Sequence, residues 1–231
     1  MKPLHHQLSK LSKVHRSHEH PLLHHLHAKY HISRKTLFYV KEYGQHSNIM
    51  RVIVKESTGM LLLATLITLF GGIALEEIKT TFVAVMPLVI LLPALNSLIG
   101  SYGTIISSRL TTLLHEGYIQ KNALLNREMQ KLILQIMLIA AITAIVAAAA
   151  SLAISTFAGF PWDLTLAVRI FLIALFDTLI LVALLTFIAT TLGLALYKKK
   201  EDPNNILIPL TTSIADVGNI VIMALLIAAF F

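Results

Sequence analysis

Five stretches of this chain, about 58–75, 82–112, 132–156, 164–196 and 206–231, are each long and apolar enough to cross a bilayer. A run of about 18 or more apolar residues spans the roughly 30 Å hydrocarbon core as a helix, because a helix satisfies its own backbone polar groups where no water is available. The composition of the chain agrees. Of 231 residues, 56% are hydrophobic and 13% charged, and the mean hydropathy is +0.75, far from the values of a soluble globular domain. The expected fold class is all-α, a polytopic membrane protein of five transmembrane helices. A polar, basic segment, residues 1–57, precedes a compact membrane domain, residues 58–231.

Lysine and arginine placement sets the expected orientation. The N-terminal segment carries ten of them, the 113–131 connection carries Lys121, Arg127 and Lys131, and "YKKKEDPNN" adds Lys198, Lys199 and Lys200. Those segments are expected in the cytoplasm. The opposite side receives "LEEIKTT", with only Lys79, and "FAGFPWDLT", with none. Five spans with the N-terminus inside and the C-terminus outside, in the plasma membrane, satisfy the rule. No apolar signal-peptide core is visible in the first 57 residues. A net charge of +7 then describes a cytoplasmic face suited to anionic lipids, and no nucleic-acid motif accompanies it. There is no cysteine, which removes disulfides and thiolate metal sites and leaves the redox compartment open.

The second span reads "VMPLVILLPALNSLIGSYGTIISSRLTTLLHEG". Pro87 and Pro93 each remove a backbone donor, and Gly100, Ser101, Gly103, Thr104, Ser107 and Ser108 make its later part small and polar. Such text suits a helix that lines a watery cavity or packs closely within protein; a plain kinked helix is the simpler reading. The third span is rich in Ala, Ser and Thr, which lets membrane helices approach closely. The fourth, Asp163 to Leu196, would be about 50 Å long at 1.5 Å per residue, and so must tilt, break or protrude. No internal repeat is found. An odd number of spans without internal symmetry leaves a small unit with few ways to enclose a path, and a homodimer would supply the missing half.

Asp216 stands well inside the last span, in "EDPNNILIPLTTSIADVGNIVIMALLIAAFF". A central Asp costs about 2.5–3.5 kcal/mol on insertion scales, so it is expected away from lipid. Two readings stand: a station on an ion path, or a neutral carboxyl hydrogen-bonded to a neighbouring helix. Thr211, Thr212 and Ser213 precede it, and Gly218 and Asn219 follow, giving oxygen ligands and room for close approach. Asp177, deep in the fourth span, either pairs with a polar group on another span or forms a second acidic station. Arg169 is near the outer end, where it can snorkel. With no histidine or cysteine within the membrane, all candidate ligands are oxygens, which favours hard cations such as Mg²⁺, Ca²⁺ or Mn²⁺ over zinc or copper. One carboxylate is thin for a divalent ion. Two, brought from Asp216 of each protomer to a two-fold axis, would hold a hydrated Mg²⁺ and still release it.

These residues resemble the integral membrane domain of the MgtE magnesium transporter family and its solute carrier 41 relatives. In "DPNNILIPLTTSIADVGN", Asp202, Pro203, Pro209, Thr211, Thr212, Asp216 and Gly218 are similar to the family's last-helix pattern. In "PALNSLIGSYGTIISSRLTT", Pro93, Gly100, Thr104, Arg109 and Leu110 take the places of its second-helix segment. Where the family carries Asn after the Gly, Ser101 stands here, and Asn96 falls earlier. The resemblance covers about 58–231. It implies an MgtE-like homodimer of five-helix domains, with the second and fifth helices lining a central cation pore. The expected metal ligands are then Asp216, Thr212, Ser101 and Asn96, and the expected pore lining Gly100, Gly103, Thr104, Pro93 and Gly218. The family's bacterial members carry cytosolic sensing domains before the membrane part; 57 residues are too few to hold them, so gating by such a sensor is not expected.

Ten of the eleven histidines precede residue 47. If the text after Pro21 is helical, His20, His24, His27 and His31 fall on one face and suit a transition metal such as zinc, nickel or cobalt. The alternative is a basic tail lying on the lipid surface. The function expected from all of this is a homodimeric divalent-cation transporter or channel that catalyses no covalent reaction. The competing readings are a non-transporting membrane scaffold, with structural aspartates and a metal-binding tail, and a proton-coupled divalent exporter.

Overall fold

The computed structural model describes residues 21–31, 49–116, 119, 126–199 and 202–231. Every element among them is helical: α1 (Pro21–Tyr30), α2 (Ile49–Ala84), α3 (Met86–His115), α4 (Arg127–Phe157), α5 (Leu164–Lys198) and α6 (Pro203–Phe230). The last five are each long and apolar enough to cross a membrane, as the five apolar runs require.

Local chemistry sets the helix ends. Asn126, Asp163 and Asp202 are N-caps whose side chains accept from Glu128 N, Leu166 N and Asn204 N respectively, each meeting one of the donors a helix start leaves free. Pro203 follows its cap in the first turn, where its missing N–H costs nothing. At the far end of α4, Gly159 takes φ 81°, with Gly159 N donating to Thr156 O and Phe160 N to Ser155 O. This is a Schellman ending, and it turns the chain into α5.

The helix lengths refine two readings. "LEEIKTT" is part of α2, which starts at Ile49 and runs 36 residues to Ala84; the expected boundary at 57/58 therefore falls inside a helix. Nothing in that text breaks a helix until Pro87, in the first turn of α3, withholds the donor that continuation needs. The 35-residue α5 is unbroken, so of the three ways to fit its length only tilting or protruding are left.

The centre of the bundle is α3, α5 and α6, which pack on one another; α4 covers α3 and α5 from one side, and α2 lies mainly along α6. Small residues permit the close approaches. A Cβ on Gly193 of α5 would lie 2.7 Å from Leu110 and 3.1 Å from Leu207, and one on Gly71 of α2 would lie 3.2 Å from Ile220. Side-chain hydrogen bonds add to this: Tyr102 Oη lies 2.6 Å from Thr143 Oγ1 across α3 and α4. In lipid, where apolar side chains gain nothing by leaving the solvent, such packing and bonding hold helices together. The outer surface of α2, with Leu62, Leu66, Leu69 and Phe70 all exposed, suits contact with lipid. Gly71→Val is expected to weaken the α2–α6 contact by about 1–3 kcal/mol, the usual cost of overpacking. Thermal unfolding in detergent would show it as a lower midpoint, and Gly72→Val, where an added Cβ meets nothing within 4 Å, should leave the midpoint much closer to the parent's.

Candidate functional site

Between α3 and α6 the bundle surface opens into a groove of about 440 Å³. From α3 it is lined by Pro93, Asn96, Ser97, Gly100, Ser101 and Thr104, and from α6 by Thr212 and Asp216. The α3 residues recur at intervals of three and one, which is one face of a helix. Thr212 and Asp216 are four apart on α6 and share a face in the same way.

Three of the four hydroxyl groups here, those of Ser101, Thr104 and Thr212, have their protons committed. Ser101 Oγ donates to Ser97 O at 2.8 Å, Thr104 Oγ1 to Gly100 O at 3.2 Å, and Thr212 Oγ1 lies 2.9 Å from Ile208 O. A hydroxyl that donates backward along its own helix keeps only lone pairs for other partners. What these groups offer is therefore acceptor oxygen, together with one carboxyl group, halfway along α6. Such a surface suits a hard cation or the waters around one. The ion pairs Lys79–Glu76 and Lys131–Glu128 are both exposed and away from the groove, and no described cation is paired with Asp216.

Asp216 Oδ1 accepts from Asn96 Nδ2 at 2.7 Å. Asn96 Oδ1 in turn accepts from Asn219 Nδ2 at 3.1 Å. The oxygen of Asn96, expected as a metal ligand, is thus occupied by another side chain, and Asn96 faces the carboxyl group as a donor.

Seven of the nine expected metal and path residues come together in this groove: Asp216, Thr212, Ser101, Asn96, Gly100, Thr104 and Pro93. The other two do not border it. A Cβ on Gly103 would lie 3.1 Å from Thr211, and one on Gly218 would lie 2.5 Å from Leu181. Both glycines face into the bundle and serve helix packing. Ser97 lines the groove without having been anticipated, though its place one turn from both Pro93 and Ser101 is a signal for it. Asn219, grouped from the sequence with possible oxygen ligands, is fully buried and away from the groove.

Asp177 is also elsewhere. It is fully buried on α5, and among the described residues neither carboxyl oxygen has a hydrogen-bond partner; the pairing with a polar group on another span is not found there. Arg169 places its guanidinium 5.1 Å from the centre of the Phe231 ring, joining α5 to the end of α6. Of the histidine face, His20 lies outside the described residues, as does the side chain of His24. His27 is exposed on α1, whereas His31 has left the helix with φ 52°, so it does not continue that face. Among the described residues no three His, Asp or Glu side chains gather as a metal site.

Five membrane-length helices in one bundle define a multi-pass α-helical membrane protein. Family comparison then gives its place: the MgtE model, described as a divalent cation transporter, matches residues 92–226. The chain belongs to this family, and the matched segment holds every residue that lines the groove. Comparisons with curated proteins and with solved structures return no match.

Proposed function

We propose that this member of the divalent cation transporter family conducts Mg²⁺ into the cytoplasm as a homodimer, with the α3–α6 grooves of two copies facing each other across a two-fold axis. The observation that carries the reading is the groove itself, a carboxyl group and acceptor hydroxyls on the outer surface of a membrane-length bundle. Exposed to lipid, that surface would be costly. Against a second copy it encloses a path with two Asp216 carboxylates, enough charge to attract a divalent ion that keeps much of its water. The basic segments, including the histidine-rich residues 1–57, lie on the cytoplasmic side against anionic lipid. The protein moves an ion and makes no covalent bond.

The natural absence of cysteine makes the test direct. Ser101→Cys introduces the only thiol, on a residue that lines the groove. In proteoliposomes the reduced variant is expected to carry Mg²⁺, and oxidation is expected to give a covalent dimer with little flux. Flux without any cross-linking would place the path away from a two-fold axis at Ser101. No divalent flux from the parent protein under any gradient would leave the scaffold reading instead, and strict dependence on a pH gradient would favour the exporter.

A further inference from the structure

Asn219 does not border the groove, yet it begins a chain of amide contacts that ends on Asp216. Its carboxamide is fully buried between α6 and α3. Nδ2 lies 3.2 Å from the Leu92 carbonyl oxygen and 3.1 Å from Asn96 Oδ1, and Asn96 Nδ2 lies 2.7 Å from Asp216 Oδ1.

The direction of this chain is fixed from its buried end. A backbone carbonyl only accepts, so the atom that Asn219 turns to Leu92 is its nitrogen. The same nitrogen faces Asn96, so the atom of Asn96 on that side must be the acceptor, Oδ1. What remains for Asp216 is the Asn96 nitrogen. Reversing Asn96 would put its oxygen against the carboxyl group and its N–H groups against those of Asn219, losing both bonds at once.

We infer that Asn219 is a positioning residue that holds Asn96 as a donor to Asp216, and so makes the groove favour hydrated Mg²⁺ over Ca²⁺. This rests on the cation path proposed above. Ca²⁺ takes six to eight oxygens and often grips a carboxylate through both of them, whereas Mg²⁺ dehydrates reluctantly and is held through one or two carboxylates with its water retained. A donor on Oδ1 opposes a two-oxygen grip. The lock on Asn96 also withholds the nearest amide oxygen from the ion. The groove is left with single-oxygen contacts and lone pairs for bound water, which suit the hydrated ion.

The test compares Mg²⁺ and Ca²⁺ uptake into proteoliposomes by the full chain, by Asn219→Ala and Asn219→Leu, by Asn96→Ala, and by the double variant Asn96→Ala/Asn219→Ala. Freed from Asn219, Asn96 can turn its oxygen to the ion. Both Asn219 variants are expected to raise the Ca²⁺ to Mg²⁺ ratio about tenfold, the worth of one net hydrogen bond. With Asn96 already removed, Asn219→Ala should change the ratio by less than about twofold. Alanine leaves space and leucine fills it, so a packing fault in one variant does not decide the outcome. A role in packing alone would lower both fluxes together and leave the ratio as it was; that result overturns the inference, as does an equal change in ratio when Asn96 is absent. Parent protein that carries neither ion would overturn the proposed path as well, on a separate measurement.

Discussion

Asp216→Asn is expected to remove divalent-cation binding and flux while leaving a folded bundle. The substitution keeps shape and polarity, and the asparagine can still meet Asn96 through its oxygen. What it removes is one negative charge per copy, two in the proposed dimer. No described cation lies beside Asp216, so its charge is available to the ion. Each carboxylate that accepts from the water of the hydrated ion contributes about 1.5–3 kcal/mol as a hydrogen bond to a charged group, two are lost in the proposed dimer, and every 1.4 kcal/mol is about tenfold in affinity. A loss of Mn²⁺ or Mg²⁺ affinity beyond about a hundredfold follows, with flux falling alongside. Titration of the purified protein with Mn²⁺ and uptake into proteoliposomes would check both. Parental flux from Asp216→Asn would take Asp216 off the path. The fold should not suffer, because a neutral side chain is cheaper than a charge at this depth.

Gly100→Leu is expected to stop flux by a different route, with both Asp216 carboxylates still in place. Gly100 lines the groove, and a Cβ there would meet nothing within 4 Å. The larger side chain therefore enters open space, at no cost to the packing of its own bundle, and fills the volume an ion with its water would need. If two copies face each other at this point, the obstruction is doubled. Ala148→Leu is the comparison. Ala148 is fully buried on α4, so added bulk there overpacks the bundle and costs about 1–3 kcal/mol of stability before it touches conduction. The expected pair of results is a stable, non-conducting Gly100→Leu and a destabilised Ala148→Leu that still conducts in the fraction that folds. Flux through Gly100→Leu at the parental rate would move the path away from the α3–α6 groove.

How much of this could be read before folding follows from what each residue's environment depends on. The number of spans rests on stretches of apolar residues long enough for hydrocarbon, and that is a property of contiguous sequence. The helix starts at Asn126, Asp163 and Asp202 rest on side chains within three residues of the donors they meet, so they are equally local. The groove stripe on α3 is legible for the same reason: Pro93, Asn96, Gly100, Ser101 and Thr104 share one face at 3.6 residues per turn, and Ser97, which was not anticipated, falls on that face too. Sequence also marked Asp216 as costly in lipid, and therefore as a residue that needs a use.

Which neighbour each face meets is another matter. Gly103 is one residue from Thr104, yet about 100° away around the helix, and that rotation takes it from the groove to Thr211. Its small size looked the same in either place. Gly218 follows Asp216 by two residues and meets Leu181 of α5 instead, because α6 is enclosed by three helices at once. Asn96 shows the same limit at the level of atoms. Its sequence position identified a polar side chain on the groove, but whether its oxygen or its nitrogen faces Asp216 is decided by Asn219, 123 residues later, and by the carbonyl of Leu92. Periodicity along one helix determines which residues travel together; only the packing of helices decides what they touch, since that depends on the rotation and depth of every helix against its neighbours, and no local stretch of sequence contains those quantities.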